Sequence, residues 1–223
     1  MGCVVVTGAS RGIGLEFCKQ YHLQGRQVYA ACRKPSAELQ ELQELGVKMV
    51  SDVDVTTDRG VEVLQKALTG ETIDILINNA GVFGNNQLGE ISYADIERQF
   101  LTNALAPVRL TEALLPQLVK NSKVAMITSR MGSITDNSSG AYYGYRMSKA
   151  ALNAAGVSLA RDLHPRGIAV ALLHPGFVQT QMVGFAGDIS PAVAAERLIA
   201  RIEQLTLDNS GSFWHSNGEL LPW

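Results

Sequence analysis

Tyr145 and Lys149 stand four residues apart, the spacing that puts two side chains on one face of a helix. A free phenol titrates near pKa ~10 and handles protons poorly at neutral pH. A fixed ammonium beside it favours the phenolate and draws that value toward the working range. At ~4 Å and an effective dielectric of ~20, one such charge contributes at most ~4 kcal/mol, about three pKa units. The pair is therefore a candidate acid–base device. Tyr142 has Arg146 at the same spacing and is a rival. Only Tyr145, however, has a lysine whose slim ammonium can also reach a sugar hydroxyl. Asn103 is a third candidate on different grounds. Pro107, four residues later, has no N–H to bond the Asn103 carbonyl, which is left free at a local kink and able to hold a water.

Far upstream lies Thr7-Gly8-Ala9-Ser10-Arg11-Gly12-Ile13-Gly14, between an apolar run and an amphipathic segment. Gly8 permits a tight turn, Gly12 lets a pyrophosphate approach the backbone, and Gly14 permits close helix–sheet packing. The following helix would turn its first amides toward phosphates, with Ser10, Arg11 and Ile13 completing the loop. The second strand should end near an adenosine ribose, where an acidic residue would bond the 2′-hydroxyl of NAD. Cys32-Arg33-Lys34 occupies that place, and Arg11 sits in the glycine loop. Cations there suit a 2′-phosphate through charge and paired donors, so NADP(H) is preferred over NAD(H).

Elements that could position these residues are legible. Short apolar runs at Cys3–Thr7, Gln27–Cys32, Val47–Ser51, Ile73–Ile77, Lys123–Thr128, Ile168–Leu173 and, more weakly, Gly211–His215 alternate with amphipathic segments. Continuous Val, Ile and Ala suggests strands covered on both faces. The expectation is an α/β fold: one Rossmann-like, doubly wound parallel sheet of about seven strands with helices on both faces, spanning 1–223 as one domain. Ser92 with Asp95 reads as a capping-box-like helix start, and Ser190-Pro191 as an N-cap before a first-turn proline. Asn217-Gly218 predicts a small terminal hairpin. With 46% hydrophobic and 18% charged residues and a formal net charge of -2, nothing calls for nucleic acid or a membrane partner. Neither a signal peptide nor a membrane span is expected. Cys3, Cys18 and Cys32 have no metal spacing and fit buried thiols in a cytoplasmic protein. The four histidines are scattered and offer no metal motif either.

In order and type, Thr7–Gly14, Asp54-Val55, Asn78-Asn79-Ala80-Gly81, Asn103, Ser129, Tyr145 with Lys149, and Pro175-Gly176 resemble the short-chain dehydrogenase/reductase family over essentially the whole chain. Tyr145–Asn153 and the tail ending in Trp223 are most similar to a carbonyl-reductase branch with C-factor-type and sniffer-type members. The resemblance implies that Asp54 and Val55 border an adenine. It implies that Asn79, Ala80 and Gly81 close over the adenosine-side ribose, and that Pro175, Val178 and Thr180 meet the nicotinamide end. It implies Tyr145 as proton donor, Lys149 as its modulator and a ribose ligand, and Ser129 as polariser of the substrate carbonyl. Ser133 is the rival serine, but Thr128–Gly132 matches the family's strand-end pattern better. Asn103 would support a water that links the lysine to solvent.

The implied activity is NADPH-dependent reduction of a small ketone, aldehyde or quinone. Alcohol oxidation through the same site is an option, and a nucleotide-binding signalling or redox-sensing module is the alternative class. A pocket is implied beside Phe83, Asn85, Asn86, Arg130, Met131, Phe177, Met182 and Phe185, with Arg130 a hint of acidic substrates. The stretch from Ser129 to Tyr145 is longer than the family's habit, with Asp136–Gly140 as a loop excursion. Homodimers would form through long helices at Ser92–Val119 and Tyr142–Leu163.

Overall fold

The computed structural model of the protein describes residues 2–223. All seven expected strands are present: β1 (Cys3–Thr7), β2 (Val28–Ala31), β3 (Lys48–Val50), β4 (Ile73–Asn78), β5 (Leu118–Ile127), β6 (Ala169–His174) and β7 (Phe213–His215). They form one parallel sheet in the order β3-β2-β1-β4-β5-β6-β7. The chain order reverses between β1 and β4, and in such sheets ligands bind beyond the carboxyl ends of the strands at that reversal.

Both faces are covered, which is why the strands read as unbroken apolar runs. Along β1, Cys3 and Val5 enter one layer while Val4 and Val6 enter the other. The first layer is built by α3 (Asp58–Ala67), α5 (Ala106–Ala113) and α6 (Tyr143–Leu163), through side chains such as Leu64, Leu110 and Leu152. The second is built by α1 (Gly12–Leu23), α2 (Ala37–Glu44) and α7 (Pro191–Glu203), through Phe17, Leu39 and Leu198. The caps form as expected: Ser92 Oγ accepts from Asp95 N and Ser190 Oγ from Val193 N, each at 3.3 Å.

The long helix expected over Ser92–Val119 is broken. It consists of α4 (Tyr93–Phe100), a π-helical turn at Leu101–Leu105 and then α5. The kink expected at Asn103 thus takes the form of one widened turn, closed by the Ala106 N–H on the Leu101 carbonyl. The helix also stops early, at Ala113, because Pro116 disfavours helical geometry at Leu115. β5 then starts at Leu118, ahead of the expected Lys123. Its first residues bulge around Asn121 (φ 73°), and regular pairing with β4 resumes at Lys123. At the other end, Gly218 (φ 99°) returns the chain so that Leu220 forms a single antiparallel bridge with Trp214, a tight return and not an extended hairpin. No helix among the described residues is long and apolar enough to cross a membrane.

Candidate active site

The glycine loop leaves β1 and enters α1 with no room for side chains. Gly8 (φ 66°) lies so close to the next strand's exit that a Cβ would sit 2.9 Å from the Ala80 Cα. A Cβ on Gly14 would meet the Gly8 carbonyl, and Asn79 Nδ2 at 2.6 Å. Asn79 braces this loop: its Nδ2 donates to the Thr7 carbonyl at 2.9 Å, and its amide donates to Thr7 Oγ1 at 3.0 Å. The Ala80 amide donates to the same hydroxyl at 3.1 Å. Thr7 was not singled out from the sequence, although a hydroxyl at a strand end before glycine is the available signal. Across from the loop, Thr180 Cγ2 lies 3.4 Å from a Cβ placed on Gly12 (φ 57°). The segment after β6 therefore reaches back to the glycine loop at Thr180. It is fixed by Ser216 Oγ donating to the Pro175 carbonyl and by a Val178–Ile189 bridge.

At the expected adenosine end lies a cleft of about 370 Å³, lined by Ser10, Arg11, Gly12, Leu15, Lys34, Pro35, Ser36 and Glu38. Arg11 and Lys34 face it. Arg33 is exposed, is not part of this lining, and stands where its charge acts on Asp54. Burial raises the Asp54 carboxyl, but bonds from Thr56 and the Arg33 charge outweigh that and hold it below its ordinary value. Val55 is buried and belongs to the core beneath. The glycine cradle and the two cations fit a phosphate-bearing dinucleotide.

The other expected group gathers where β5 ends. Lys149 is only 4% exposed and donates to the Ile127 carbonyl at 2.8 Å. Its Nζ is 5.8 Å from the centroid of the Tyr145 ring. Ser129 Oγ accepts from Met131 N at 3.2 Å and also acts on the phenol. Gly81 touches the same group: a Cβ there would be 3.3 Å from Asn103 Oδ1 and 3.9 Å from Lys149 Nζ. Asn103 exchanges two bonds with the Val82 backbone, both at 2.8 Å, and its Nδ2 donates to Ser148 Oγ at 3.0 Å. Ser148 Oγ in turn donates to the Tyr145 carbonyl at 2.8 Å. Ser148 was unread in the sequence, though it lies three residues after the tyrosine on the same helix face.

Two rivals are committed elsewhere. Arg146 donates to the carbonyls of Gly140 and Met131 and to Ser139 Oγ, so it pins the loop excursion instead of serving Tyr142. Ser133 Oγ accepts from Asp136 N at 3.1 Å within that excursion. Arg130, the hinted carboxylate binder, pairs with Asp136 at 2.9 Å and with Glu219 at 3.4 Å.

The expected direction of the phenol's shift is reversed. Burial pushes Tyr145 up to about 12, with the Ser129 hydroxyl acting the other way. Burial also draws Lys149 down to about 7. Removing both groups from water penalises each charged form more than the lysine's proximity favours the phenolate. The site as described can therefore present a protonated phenol as a hydrogen-bond donor beside a lysine that gains or loses its proton near neutrality. His174 is also held neutral, down to about 3, chiefly by burial and by the edge-on His215 ring 4.9 Å away.

Comparison with known proteins places the chain among similar sequences and structures. The family model described as short chain dehydrogenase matches residues 2–189. The 1-hydroxy-2-glutathionyl-2-methyl-3-butene dehydrogenase of Rhodococcus sp. (strain AD45) is 41% identical over 229 residues, covering 100% of both chains. The C-signal protein of Myxococcus xanthus is 46% identical over 154 residues, covering 68% of this chain and 93% of its own. Among solved structures, the NADPH-bound carbonyl reductase from chicken fatty liver superposes with a TM-score of 0.90 at 30% identity, covering 100% of this chain and 99% of that one.

The depressed lysine has a measurable consequence. Between about pH 7 and the ordinary lysine value, the unfolded chain holds a proton on Lys149 that the folded chain has lost. This group's contribution to stability therefore rises with pH through that window. Thermal melts of cofactor-free protein should show a Tm that climbs above pH 7 relative to Lys149→Met. Parallel pH profiles for the two proteins would refute the assignment.

Proposed function

The chain belongs to the short-chain dehydrogenase family, and from that premise we propose that it is an NADPH-dependent carbonyl reductase with Tyr145 as its proton donor. That it is an NAD(P)-dependent oxidoreductase follows from the family itself. The observation that carries the finer reading is the meeting of a protonated phenol, the Ser129 hydroxyl and a buried lysine at the end of β5.

NADPH, when bound, would supply the hydride for the carbonyl carbon. The protein's part is to manage the charge that then develops on oxygen. Ser129 donates a hydrogen bond to that oxygen, and Tyr145 passes its phenolic proton to it, leaving an alcohol. The phenolate left behind is reprotonated from the Lys149 side, where a pKa near 7 lets the amine carry a proton in either direction. Asn103 supports this path by clamping Val82 and Ser148 around it. Gly8, Gly12 and Gly14, with Ser10 and Ile13, would receive the pyrophosphate. Asp54, Val55 and Asn79 to Gly81 would border the adenosine, and Pro175, Val178 and Thr180 would hold the nicotinamide half. Arg11 and Lys34, with Arg33 nearby, favour the 2′-phosphate of NADP(H), in keeping with the NADPH bound by the chicken enzyme.

A small, neutral and largely apolar carbonyl compound suits the mouth best. Phe83 packs edge-on against Tyr145 with centroids 4.9 Å apart, and Phe177, Met182 and Phe185 are exposed after Gly176. Arg130 and Arg146 are already paired within the protein, so an anionic substrate would have to break those contacts. This argues against the glutathionyl class named for the Rhodococcus relative, while alcohol oxidation of neutral substrates remains the reverse of the same chemistry. The M. xanthus relative favours a second reading, a nucleotide-occupied signalling module. We further propose one unit over residues 1–223, a cytoplasmic setting consistent with three buried free thiols, and a homodimer. Exposed Phe100, Leu101, Leu105 and Met147 support the homodimer.

Three measurements test the proposal. In Tyr145→Phe, kcat should fall by about 10²- to 10⁴-fold while NADPH affinity is kept, as expected for loss of a general acid. Retained turnover would sink the role of Tyr145. Arg11→Ala and Lys34→Ala should each weaken NADPH by roughly tenfold or more with little change for NADH. Equal losses for the two cofactors would remove the 2′-phosphate assignment. A substrate panel should show neutral ketones, aldehydes or quinones turned over well ahead of carboxylate-bearing and glutathionyl analogues. Tight NADPH binding with no turnover at all would favour the signalling module.

A further inference from the structure

We propose that Asn86 is a positioning residue for Tyr145, acting as a cap supplied to the start of α6 by the segment between β4 and α4. The proposal rests on the proton-donor role of Tyr145. The first turn of α6 has no side-chain cap of its own. Its N-cap is Tyr142, held in the left-handed region at φ 53° and ψ 38° directly after Ala141 at φ 52°. The first amides of a helix have no partner within it and need acceptors from elsewhere. Asn86 supplies them twice. Its main-chain carbonyl accepts from Tyr142 N at 2.7 Å, and its side-chain Oδ1 accepts from Gly144 N at 3.3 Å. Gly144 is the residue immediately before Tyr145, so these bonds fix the backbone that aims the phenol.

Asn86 is itself held in one orientation. It is 3% exposed, and its Nδ2 donates to Asp95 Oδ2 at 3.3 Å while its Oδ1 also accepts from Gln99 Nε2 at 3.2 Å. Gln99, fully buried, donates as well to Asp95 Oδ2 at 2.8 Å. A flipped amide would face donors with donors at both Gly144 and Gln99 and would face the Asp95 carboxylate with oxygen. Asp95 stays ionised because Arg98 pairs with it first of all, which holds its carboxyl below the usual range. Two glycines leave space for this arrangement. A Cβ on Gly144 would stand 2.7 Å from Gln99 Nε2 and 2.8 Å from Asn86 Oδ1, and one on Gly84 would overlap Asp95 and Gln99. Phe83, at the head of the same segment, lays its ring against both Tyr145 and Tyr142. The segment expected to be pocket wall thus grips the tyrosine by ring and by backbone, and Asn86 faces inward.

The test compares wild type, Asn86→Ala, and Asn86→Asp, whose carboxyl keeps an acceptor for Gly144 and Gln99 and shares a proton with Asp95, since two carboxylates in hydrogen-bond contact do not both ionise. Amide hydrogen exchange is followed at the start of α6, alongside kcat, the carbonyl KM and NADPH dissociation. In Asn86→Ala, the Gly144 amide should exchange about tenfold faster or more. The kcat should fall roughly 10- to 100-fold, the range set by small misplacements of a reacting group, with KM and NADPH affinity nearly unchanged. Asn86→Asp should recover most of both losses. Unchanged exchange or unchanged kcat in Asn86→Ala overturns the positioning role, as does an equal loss of kcat and NADPH affinity. If the alanine variant does not fold, wild-type Gly144 protection without wild-type kcat in Asn86→Asp overturns it. Absence of turnover in the wild-type protein removes the reductase reading first and the positioning role with it, whereas an active but insensitive Asn86→Ala removes the positioning role alone.

Discussion

The arrangement around Lys149 is governed by the cost of taking an ammonium out of water. Among the described residues no carboxylate pairs with it. Its hydrogen bond there goes to the Ile127 carbonyl at 2.8 Å. Such a group is held only if its surroundings are rigid, and they are. Gly132 packs a strand-end turn directly on the lysine backbone, where a Cβ would be 2.9 Å from Lys149 Cβ. Thr128 Oγ1 donates to Asn153 Oδ1 at 2.7 Å and locks α6 to the end of β5. Gly81 leaves the approach to Nζ open. A lysine drawn toward neutrality by desolvation is a weak perturber of its neighbour but an effective proton carrier, because its two protonation states are close in free energy.

That distinction explains where a reading of residues alone went in the opposite direction. Tyr145 and Lys149 are legible as a pair because helical spacing is local information. The sign of the phenol's shift is not local. It depends on how many atoms from β5, α6 and the segment after β4 crowd the two groups, and no spacing rule records that. Charge alone predicts a lowered phenol, and burial returns a raised one. For a site that must give a proton to a developing alkoxide, the protonated phenol is the useful ground state, so the chemical proposal survives the reversal of its supporting argument.

Much of the sheet could be read directly, since a strand covered on both faces needs mostly apolar residues, and Cys3–Thr7 and Ile73–Ile77, with Asp74 as its one charged member, are such runs. What escaped were features set by a single backbone-special residue or by distant partners. Pro116 ends a helix that the apolar pattern would continue, and Asn121 puts a bulge into a strand whose start then looks like loop. Asn103 and Pro107 announced a kink, but only the folded chain shows it as a π turn with the asparagine side chain turned to Val82 and Ser148. The capping of α6 by Asn86 joins positions 58 residues apart, and an asparagine in a polar-looking loop gives no sign of being buried.

The longer stretch between Ser129 and Tyr145 illustrates how such a departure is absorbed. An excursion beside a reaction site would cost order if it were free to move, and here it is held from several directions. Ser133 caps its first turn, Arg146 holds Ser139 and Gly140 from the helix, and Arg130 ties Asp136 to Glu219 near the chain's end. The Thr135 amide donates to the Trp223 carbonyl at 2.9 Å, and the Trp223 ring stacks on Phe213 of β7 with centroids 5.5 Å apart. The exposed ion pairs contribute little individually. Their value lies in acting together on one segment, so the wall beside the phenol is ordered before anything binds and less entropy is lost when something does. The same contacts occupy Arg130 and Arg146, so neither guanidinium is left without a partner inside the protein.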